Sequence, residues 1–405
     1  MPPRTVAVVG GSLAGLRAAE QLRACGFTGG ITVYGAEPHH PYNRPPLSKE
    51  ALGDGASSTA AELASRLAFR RRPSVNDVSF RLGTSVAGVD PTAGTLSLTD
   101  GTVETFDGLV IATGLRPRRL AVPGPLGGRH SLRTVEDCIA LRLAVTGART
   151  AIVVGGGFIG TEVACTLTAL GLAVTVIEPT GPPMGRVLGA ELAEAVARHH
   201  TRHGIEFLSA GVQSVTGDET ATGVWLDDGR ELTADVLVEA VGSQCNTEWL
   251  AGADFDLTDG VLTDNLLRAN GADRTVVVGD IARFPNPLFD DVPRRVEHWS
   301  IPTDTAKRAA ATLAGLLTDV AVDEAPFSPI PAFWSDQRDL RLQSYGSPGL
   351  ADEIRLEEGS FEHVAEGVLV SYLRSGILVG NVSVNLSPAR HRSLREALAP
   401  VPSPG

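Results

Sequence analysis

The chain has 405 residues, 43% of them hydrophobic, and a formal net charge of −12 at pH 7. That length calls for two or three domains, and an apolar composition rich in glycine and alanine excludes a disordered or fibrous chain. The acidic balance argues against general binding to nucleic acid or to an anionic membrane. The opening MPPRT leads straight into a strand, with no signal-peptide region, and no apolar run reaches membrane-spanning length, so a cytoplasmic protein is expected. Cys25, Cys138, Cys165 and Cys245 stand far apart with no CxxC spacing, which excludes a disulfide framework and leaves no expected metal site.

Taken in order, residues 5 to 37 read as strand (Thr5 to Val9), turn (Gly10, Ser12, Gly15), helix through Cys25, strand (Ile31 to Tyr34) and acid (Glu37). This is a dinucleotide cradle in which Ser12 replaces the middle glycine. The segment HHPYNRPPLSKE, residues 39 to 50, is too proline-rich for a helix before Leu47, and Lys49 stands at a helix start. Read from the residues alone it is either a rigid connection or a wall for the ring system of the first nucleotide, with Arg44, Pro45 and Lys49 against it. Residues 54 to 66 read as a solvated helix. Leu96, Leu98, Asp100 and Gly101, then Asp107 and LVIATG, describe a hairpin turning at Asp-Gly and a returning strand.

After the proline-punctuated LRPRRLAVPGP, SLRTVEDC predicts a helix capped by Thr134, with Glu136 and Asp137 in its first turn. Thr150 to Glu178 is the fullest signal in the chain. Ala151 to Val154 form a buried strand, and Gly155, Gly157 and Gly160 follow at the GxGxxG spacing. Phe158, Ile159, Val163, Leu167 and Leu170 keep an apolar helix face, Val174 to Ile177 form a second strand, and Glu178 closes it. The glycines admit a pyrophosphate, and an acid about twenty residues on accepts the ribose hydroxyls and repels a 2′-phosphate, favouring NADH over NADPH. Val224, Leu226, Asp228 and Gly229, then Asp235 and VLVEAVG, repeat the earlier hairpin and returning strand, so the two nucleotide units are duplicates. One tightly held and one exchanging cofactor fit that arrangement.

The run VVVGD at 276–280 predicts a strand returning to the first unit, with Asp280 placed to bind a polyol. Thr305 to Leu317 predicts an amphipathic core helix. From about Pro326 short strands (Leu340 to Ser344, Gly367 to Tyr372, Ile377 to Val384) and a closing helix (Ser393 to Leu398) predict a small α+β domain, ending in a frayed PVPSPG. His199, His200 and His203 invite a metal reading. Their place at a helix end before Gly204 favours a structural one, because imidazolium suits the C-terminal dipole. No G-x-S-x-G elbow supports hydrolysis. Arg70 to Arg72, Arg118 with Arg119, and Arg294 with Arg295 are either solvated faces or steering charge for an acidic partner.

From residue 5 to residue 395 the chain resembles the FAD-dependent, NADH-utilising ferredoxin reductases of the putidaredoxin reductase and biphenyl-dioxygenase reductase type, relatives of glutathione reductase. The likeness rests on GGSLAG with Glu37, RPPLSK, ATGxxPR at Ala112 to Arg118, SLRTVED, GGGFIGTE, NTEWL at 246–250, GD at 279–280, VEHW at 296–299 and FWSDQ at 333–337. It implies an α/β fold with two Rossmann-like dinucleotide-binding domains and a small C-terminal α+β domain. The implied boundaries are 1–118 and 244–325 for FAD, 119–243 for NAD, and 326–405 for the last domain. FAD is implied at Gly10, Ser12, Ala14, Gly15, Glu37, Arg44, Pro45, Lys49, Val86, Ala112, Arg133, Gly279, Asp280, Val296, Glu297, His298 and Trp299. NAD(H) is implied at Gly155, Gly157, Ile159, Gly160, Glu162, Glu178, Arg186 and Gly242. Catalytic roles fall to Lys49, near flavin N5, to Glu162 beside it, to Trp299 in the flavin pocket, and to Trp334 on the electron exit side.

The resemblance further implies a monomer that passes electrons from NADH through FAD to an iron–sulfur ferredoxin, and so to a cytochrome P450 or a dioxygenase. The four cysteines match no cluster spacing, so the cluster belongs to a partner. SQCN at 243–246 stands where the family has a form like VRPN, and IPTDTAKRAA at 301–310 departs from the family segment; both bear on the nicotinamide or flavin edge. Three other roles remain on this scaffold: a disulfide or peroxide reductase, which would need a thiol where Pro45 to Lys49 stand; a redox-sensing interaction protein of the apoptosis-inducing-factor type; and a reductase of a small organic acceptor.

Overall fold

A computed structural model describes residues 4–54, 58–270, 272–318 and 320–399. The PVPSPG tail, the first three residues of MPPRT and residues 55–57 of the 54–66 segment lie outside the described residues. The chain divides into two compact units. One comprises the residues up to Asn43 with Ala64–Arg116 and Cys245–Ala332; the other comprises Arg44–Leu63, Pro117–Gln244 and the chain from Phe333 onward.

The first unit is built on a five-stranded parallel sheet in the order Thr275–Val277, Gly108–Ile111, Thr5–Val9, Gly30–Tyr34, Ser79–Arg81. Val6, Ala7, Val8 and Val9 are all buried, as a parallel strand covered on both faces requires. The late strand does return to this sheet, but it stops at Val277, and Gly279 (φ +78°) turns the chain into a 3-10 turn over Gly279–Ile281. The helix Leu13–Ala24 packs on the helix Ile301–Thr318 through small side chains, among them Ala18, Ala19, Ala306, Ala309 and Ala310. That second helix starts four residues earlier than its periodicity suggests, because Pro302 falls in the first turn, where a missing N–H costs nothing.

The second unit repeats the plan, with parallel strands in the order Ile205–Leu208, Ala173–Ile177, Thr150–Val154, Val236–Glu239, Arg129–His130. The duplication extends to details. The antiparallel meanders Val86–Asp90, Thr95–Leu98, Val103–Thr105 and Val212–Thr216, Gly223–Leu226, Glu231–Thr233 each carry a register shift in their first pair. Asp107 and Asp235 then play matching parts. Asp107 Oδ2 accepts from the N–H of Thr5 at 2.7 Å, and Asp235 Oδ2 from that of Thr150 at 3.0 Å, pinning each returning strand to the first.

The helix Phe158–Ala169 buries Gly160, Thr161, Glu162, Val163, Ala164, Cys165 and Leu167, while Ile159 and Leu170 are 49% and 43% exposed. The covered surface therefore differs from the apolar face the sequence suggested, leaving out Ile159 and Leu170 and taking in polar side chains. Thr134 caps the helix Val135–Val145 in a reciprocal box with Asp137. The last stretch forms a five-stranded sheet in the order Ala332–Gln337, Leu340–Gly346, Ile377–Val384, Val368–Arg374, Glu353–Glu358. Its closing helix is Pro388–Glu396 rather than 393–398, because Ser387 and Pro388 supply N-cap and first position together.

Candidate functional site

In the first unit the glycine turn is a matter of clearance. A Cβ on Gly10, whose φ is +126°, would lie 2.1 Å from Ala112 O, and one on Gly15 would lie 2.0 Å from Gly10 O. Only glycine lets the strand ends and the helix start approach so closely. Ser12 takes the N-cap position of Leu13–Ala24, and Gly279 comes so near that its Cβ would stand 2.9 Å from Ala14 Cβ. Thr305 holds this approach: its Oγ1 accepts from Gly279 N–H at 2.9 Å and donates to Ile301 O at 2.5 Å. Backbone N–H groups at the start of a twelve-residue helix suit a pyrophosphate.

Glu37 follows the strand Gly30–Tyr34, where Tyr42 donates its hydroxyl to Glu37 Oε2 at 2.5 Å. Ala112 continues the strand Gly108–Ile111, and the next residue, Thr113, exchanges two 2.8 Å hydrogen bonds with Asn246 of NTEWL. Asp280 sits in the turn beside Gly279, and its carbonyl accepts from Arg295. Val296, Glu297, His298 and Trp299 form the approach to the helix at Ile301; burial pushes the His298 imidazole down to about 4, and Trp299 is 43% exposed. Val86 opens the first meander.

The second unit carries the fuller cradle. Gly155 has φ +108°, and its Cβ would lie 2.3 Å from Ala240 O; a Cβ on Gly160 would lie 2.0 Å from Gly155 O. Gly157 is the N-cap of Phe158–Ala169, and a Cβ there would meet nothing within 4 Å. The third glycine thus serves packing and the middle one serves clearance over the helix start. Glu178 Oε2 accepts from Gly156 N–H at 2.9 Å, and Oε1 accepts from Thr180 Oγ1 at 2.6 Å. Burial works to raise this carboxyl, but the hydrogen bonds from Thr180 and Gly156 and the nearby charge of Arg186 hold it below the usual range. Arg186 lies in the short helix Gly185–Leu188, and Gly242 (φ +96°) receives the N–H of Arg118 on its carbonyl at 2.9 Å.

Lys49 and Glu162 meet in this unit, Nζ to Oε2 at 2.7 Å. Lys49 stands between a 3-10 turn, Pro45–Ser48, and a short helix, Glu50–Gly53. A helical turn before Leu47 is thus present after all, because prolines at its first two positions suit the tighter geometry. Around the carboxylate, Ser48 Oγ donates to Oε2 and Ser335 Oγ donates to Oε1, each at 2.6 Å. Behind Ser335 stand Gln337, whose Nε2 donates to Ser335 Oγ at 3.0 Å, and His200, whose Nε2 lies 2.9 Å from Gln337 Oε1. This buried row leads to Glu162, which is only 6% exposed, while Gln337 Nε2 also reaches Met184 Sδ at 3.1 Å. Short hydrogen bonds to an ionised oxygen are what permit such a burial. Arg44 lies nearby in sequence and donates to Arg133 O at 2.7 Å.

The candidate residues thus sort by unit. Gly10, Ser12, Ala14, Gly15, Glu37, Val86, Ala112, Gly279, Asp280 and the 296–299 stretch lie in the first. Arg44, Pro45, Lys49, Arg133 and Trp334 lie in the second with the residues matched to NAD. Ser48, Ser335, Gln337 and Thr305 escaped the sequence reading. In FWSDQ, Phe333, Ser335 and Gln337 face inward and Trp334 does not; polar residues on the inward period of a strand were the available signal. Several of the arginines left open between solvated face and steering charge have intramolecular partners: Arg119 with Glu239, Arg294 with Asp290, Arg295 with Asp259 and Glu297.

The family model for pyridine nucleotide-disulphide oxidoreductases matches residues 4–306. Rhodocoxin reductase of Rhodococcus erythropolis is 34% identical over 401 residues, 98% of this chain and 89% of that protein. Putidaredoxin reductase CamA of Pseudomonas putida is 30% identical over 351 residues, 84% of this chain and 80% of its own. Among solved structures, the ferredoxin reductase for the CYP199A2 system of Rhodopseudomonas palustris superposes with a TM-score of 0.85 at 32% identity, covering 94% of this chain and 91% of that one. The covalent putidaredoxin reductase–putidaredoxin complex gives 0.88 at 27%, covering 98% and 93%. The chain therefore belongs to the pyridine nucleotide-disulphide oxidoreductase family, and within it to the ferredoxin reductases.

Proposed function

We propose that this oxidoreductase carries electrons from NADH through FAD to an iron–sulfur ferredoxin that serves a monooxygenase or dioxygenase, working as a cytoplasmic monomer. The observation that carries the reading is the duplicated cradle, one unit for each dinucleotide, in a chain whose own thiols are unfit for redox work. All four cysteines are free and far apart with no CxxC spacing, and burial raises each of them, Cys138 to about 11 and Cys165 to about 12, which disfavours a disulfide-reducing thiol. The names of the relatives, rhodocoxin reductase and putidaredoxin reductase, point the same way.

FAD fits the first unit through Gly10, Ser12, Ala14 and Gly15 at the helix start, Glu37 at the ribose, and Asp280 beside Gly279; NADH fits the second through Gly155 to Gly160, Glu178 and Arg186. When bound, the flavin accepts a hydride and releases its electrons one at a time. Lys49 provides the positive charge; Glu162 and the Pro45 carbonyl hold its ammonium, and Ser48 and Ser335 hold Glu162 in turn, so little reorganisation is left for the moment of transfer. Glu178 orients the nicotinamide coenzyme by its adenosine end.

The test mixes purified protein with NADH, a panel of [2Fe–2S] ferredoxins and cytochrome c as reporter. Cytochrome reduction that depends on a ferredoxin supports the reading. Reduction indifferent to every ferredoxin, or rapid turnover of a disulfide substrate, ends it.

A further inference from the structure

The three clustered histidines at the end of the helix Ala190–Arg202 do not share one role. His200 is wholly buried, with Nε2 on Gln337 and Nδ1 3.7 Å from Cys165 Sγ; burial pushes it down to about 4. His199 and His203 are four residues apart on one helix face, with ring centroids 4.5 Å apart. Across from them is Asp339, 140 residues further along the chain, whose Oδ1 and Oδ2 lie 2.9 and 3.1 Å from His199 Nε2.

We infer that His199, His203 and Asp339 form a binding site for a divalent transition-metal cation of the zinc type. One ligand atom from each lies within 4.8 Å of the others. Tetrahedral zinc with bonds of about 2.0–2.2 Å sets its ligands about 3.3 Å apart. The His199–Asp339 pair, at 2.9 and 3.1 Å, lies close to that separation, and the half-buried His203 is near enough for a shift that pivots about its Nδ1 to bring in the third ligand. The second ring nitrogen of His203 supports this: Nδ1 lies 2.9 Å from His199 O, the bond that fixes a ligating imidazole with Nε2 as the free donor atom. Two imidazoles and one carboxylate select zinc, nickel or copper over magnesium or calcium, and water completes the shell. On binding, the cation takes the place between His199 Nε2 and Asp339, and His199 ligates as the neutral imidazole with its proton on Nδ1.

Asp339 sits at the turn between the strands Ala332–Gln337 and Leu340–Gly346, with its carbonyl held by Asn385 Nδ2 at 3.0 Å. The cation would therefore tie the helix end to that turn, two residues from Gln337. The site is independent of electron transfer and stands whether or not the ferredoxin reading does.

The test is zinc titration of the tag-free holoprotein, stripped with chelator and desalted, by calorimetry at neutral pH with metal analysis after dialysis. One equivalent per chain is expected with a micromolar or tighter Kd, weakened at least tenfold in His203→Gln and in Asp339→Asn and unchanged in His391→Gln. Absence of saturable uptake, or equal affinity in His203→Gln and the parent protein, overturns the site. His203 accepts this exchange without loss of a core contact, so the comparison survives if Asp339→Asn fails to fold.

Discussion

His200 shows how a single side chain ties the middle of the chain to its C-terminal sheet. It comes from the nucleotide-binding half of its unit, yet its partner is Gln337 from the C-terminal sheet, and both are fully buried. Because its imidazole is pushed down to about 4 from an ordinary value near 6.5, the folded chain stays neutral there while the unfolded chain takes up a proton. The native state therefore loses stability as the pH falls from about 6.5 toward 4, by about 1.4 kcal/mol per pH unit from this group. Urea unfolding at pH 7, 5.5 and 4.5 should show this slope, and His200→Gln should flatten it by one proton. An unchanged slope in the variant would assign the loss to other groups.

The strand Ala173–Ile177 leads into Glu178, which ties down the glycine turn through Gly156 N–H and, in the proposed function, is the residue that receives the ribose. Glu178→Arg should lower kcat/KM for NADH roughly ten- to a hundredfold, the worth of about 1.5–3 kcal/mol for hydrogen bonds to a charged group. It should also raise the relative use of NADPH, because a guanidinium accepts the 2′-phosphate that a carboxylate repels. Glu178→Gln, which keeps the shape without the charge, separates the two effects in steady-state kinetics. Unchanged coenzyme preference in both variants would remove Glu178 from ribose recognition. Among the other elements, the Val135–Val145 helix kept the start its capping residues announced. The Pro388–Glu396 and Ile301–Thr318 helices began earlier than the apolar pattern suggested. Caps are local chemistry and legible in sequence, whereas a proline in a first turn reads as a breaker until the helix behind it is seen.

Across the chain, the C-terminal sheet does structural work inside the second unit beyond any part it has with a partner. Ser335 binds Glu162, Gln337 binds His200, and the buried Tyr372 donates its hydroxyl to Leu188 O at 2.7 Å. A chain ending at Pro331 leaves these groups without partners, at about 1–3 kcal/mol each. Such a truncation should unfold at a temperature at least about 10 °C lower, or fail to stay soluble. Calorimetry of the truncated protein checks this; a stable fragment with an unchanged transition would make the sheet an appendage.

Both glycine cradles, the acids at Glu37 and Glu178, the duplicated hairpins and the returning strand could be read from the residues because each rests on neighbours in the chain. A turn needs glycine where a Cβ would strike backbone, and a buried parallel strand needs an unbroken apolar run; both requirements are local. Lys49 beside Glu162 was foreseen from a likeness to known proteins. The hydroxyls of Ser48 and Ser335 on that carboxylate, Thr305 under Gly279, and Asp339 beside His199 were not foreseen. These contacts join residues 26 to 173 positions apart, and no period or spacing in a sequence encodes which distant polar side chain will arrive at a buried charge. That is settled when the layers pack and each buried donor and acceptor must find a partner.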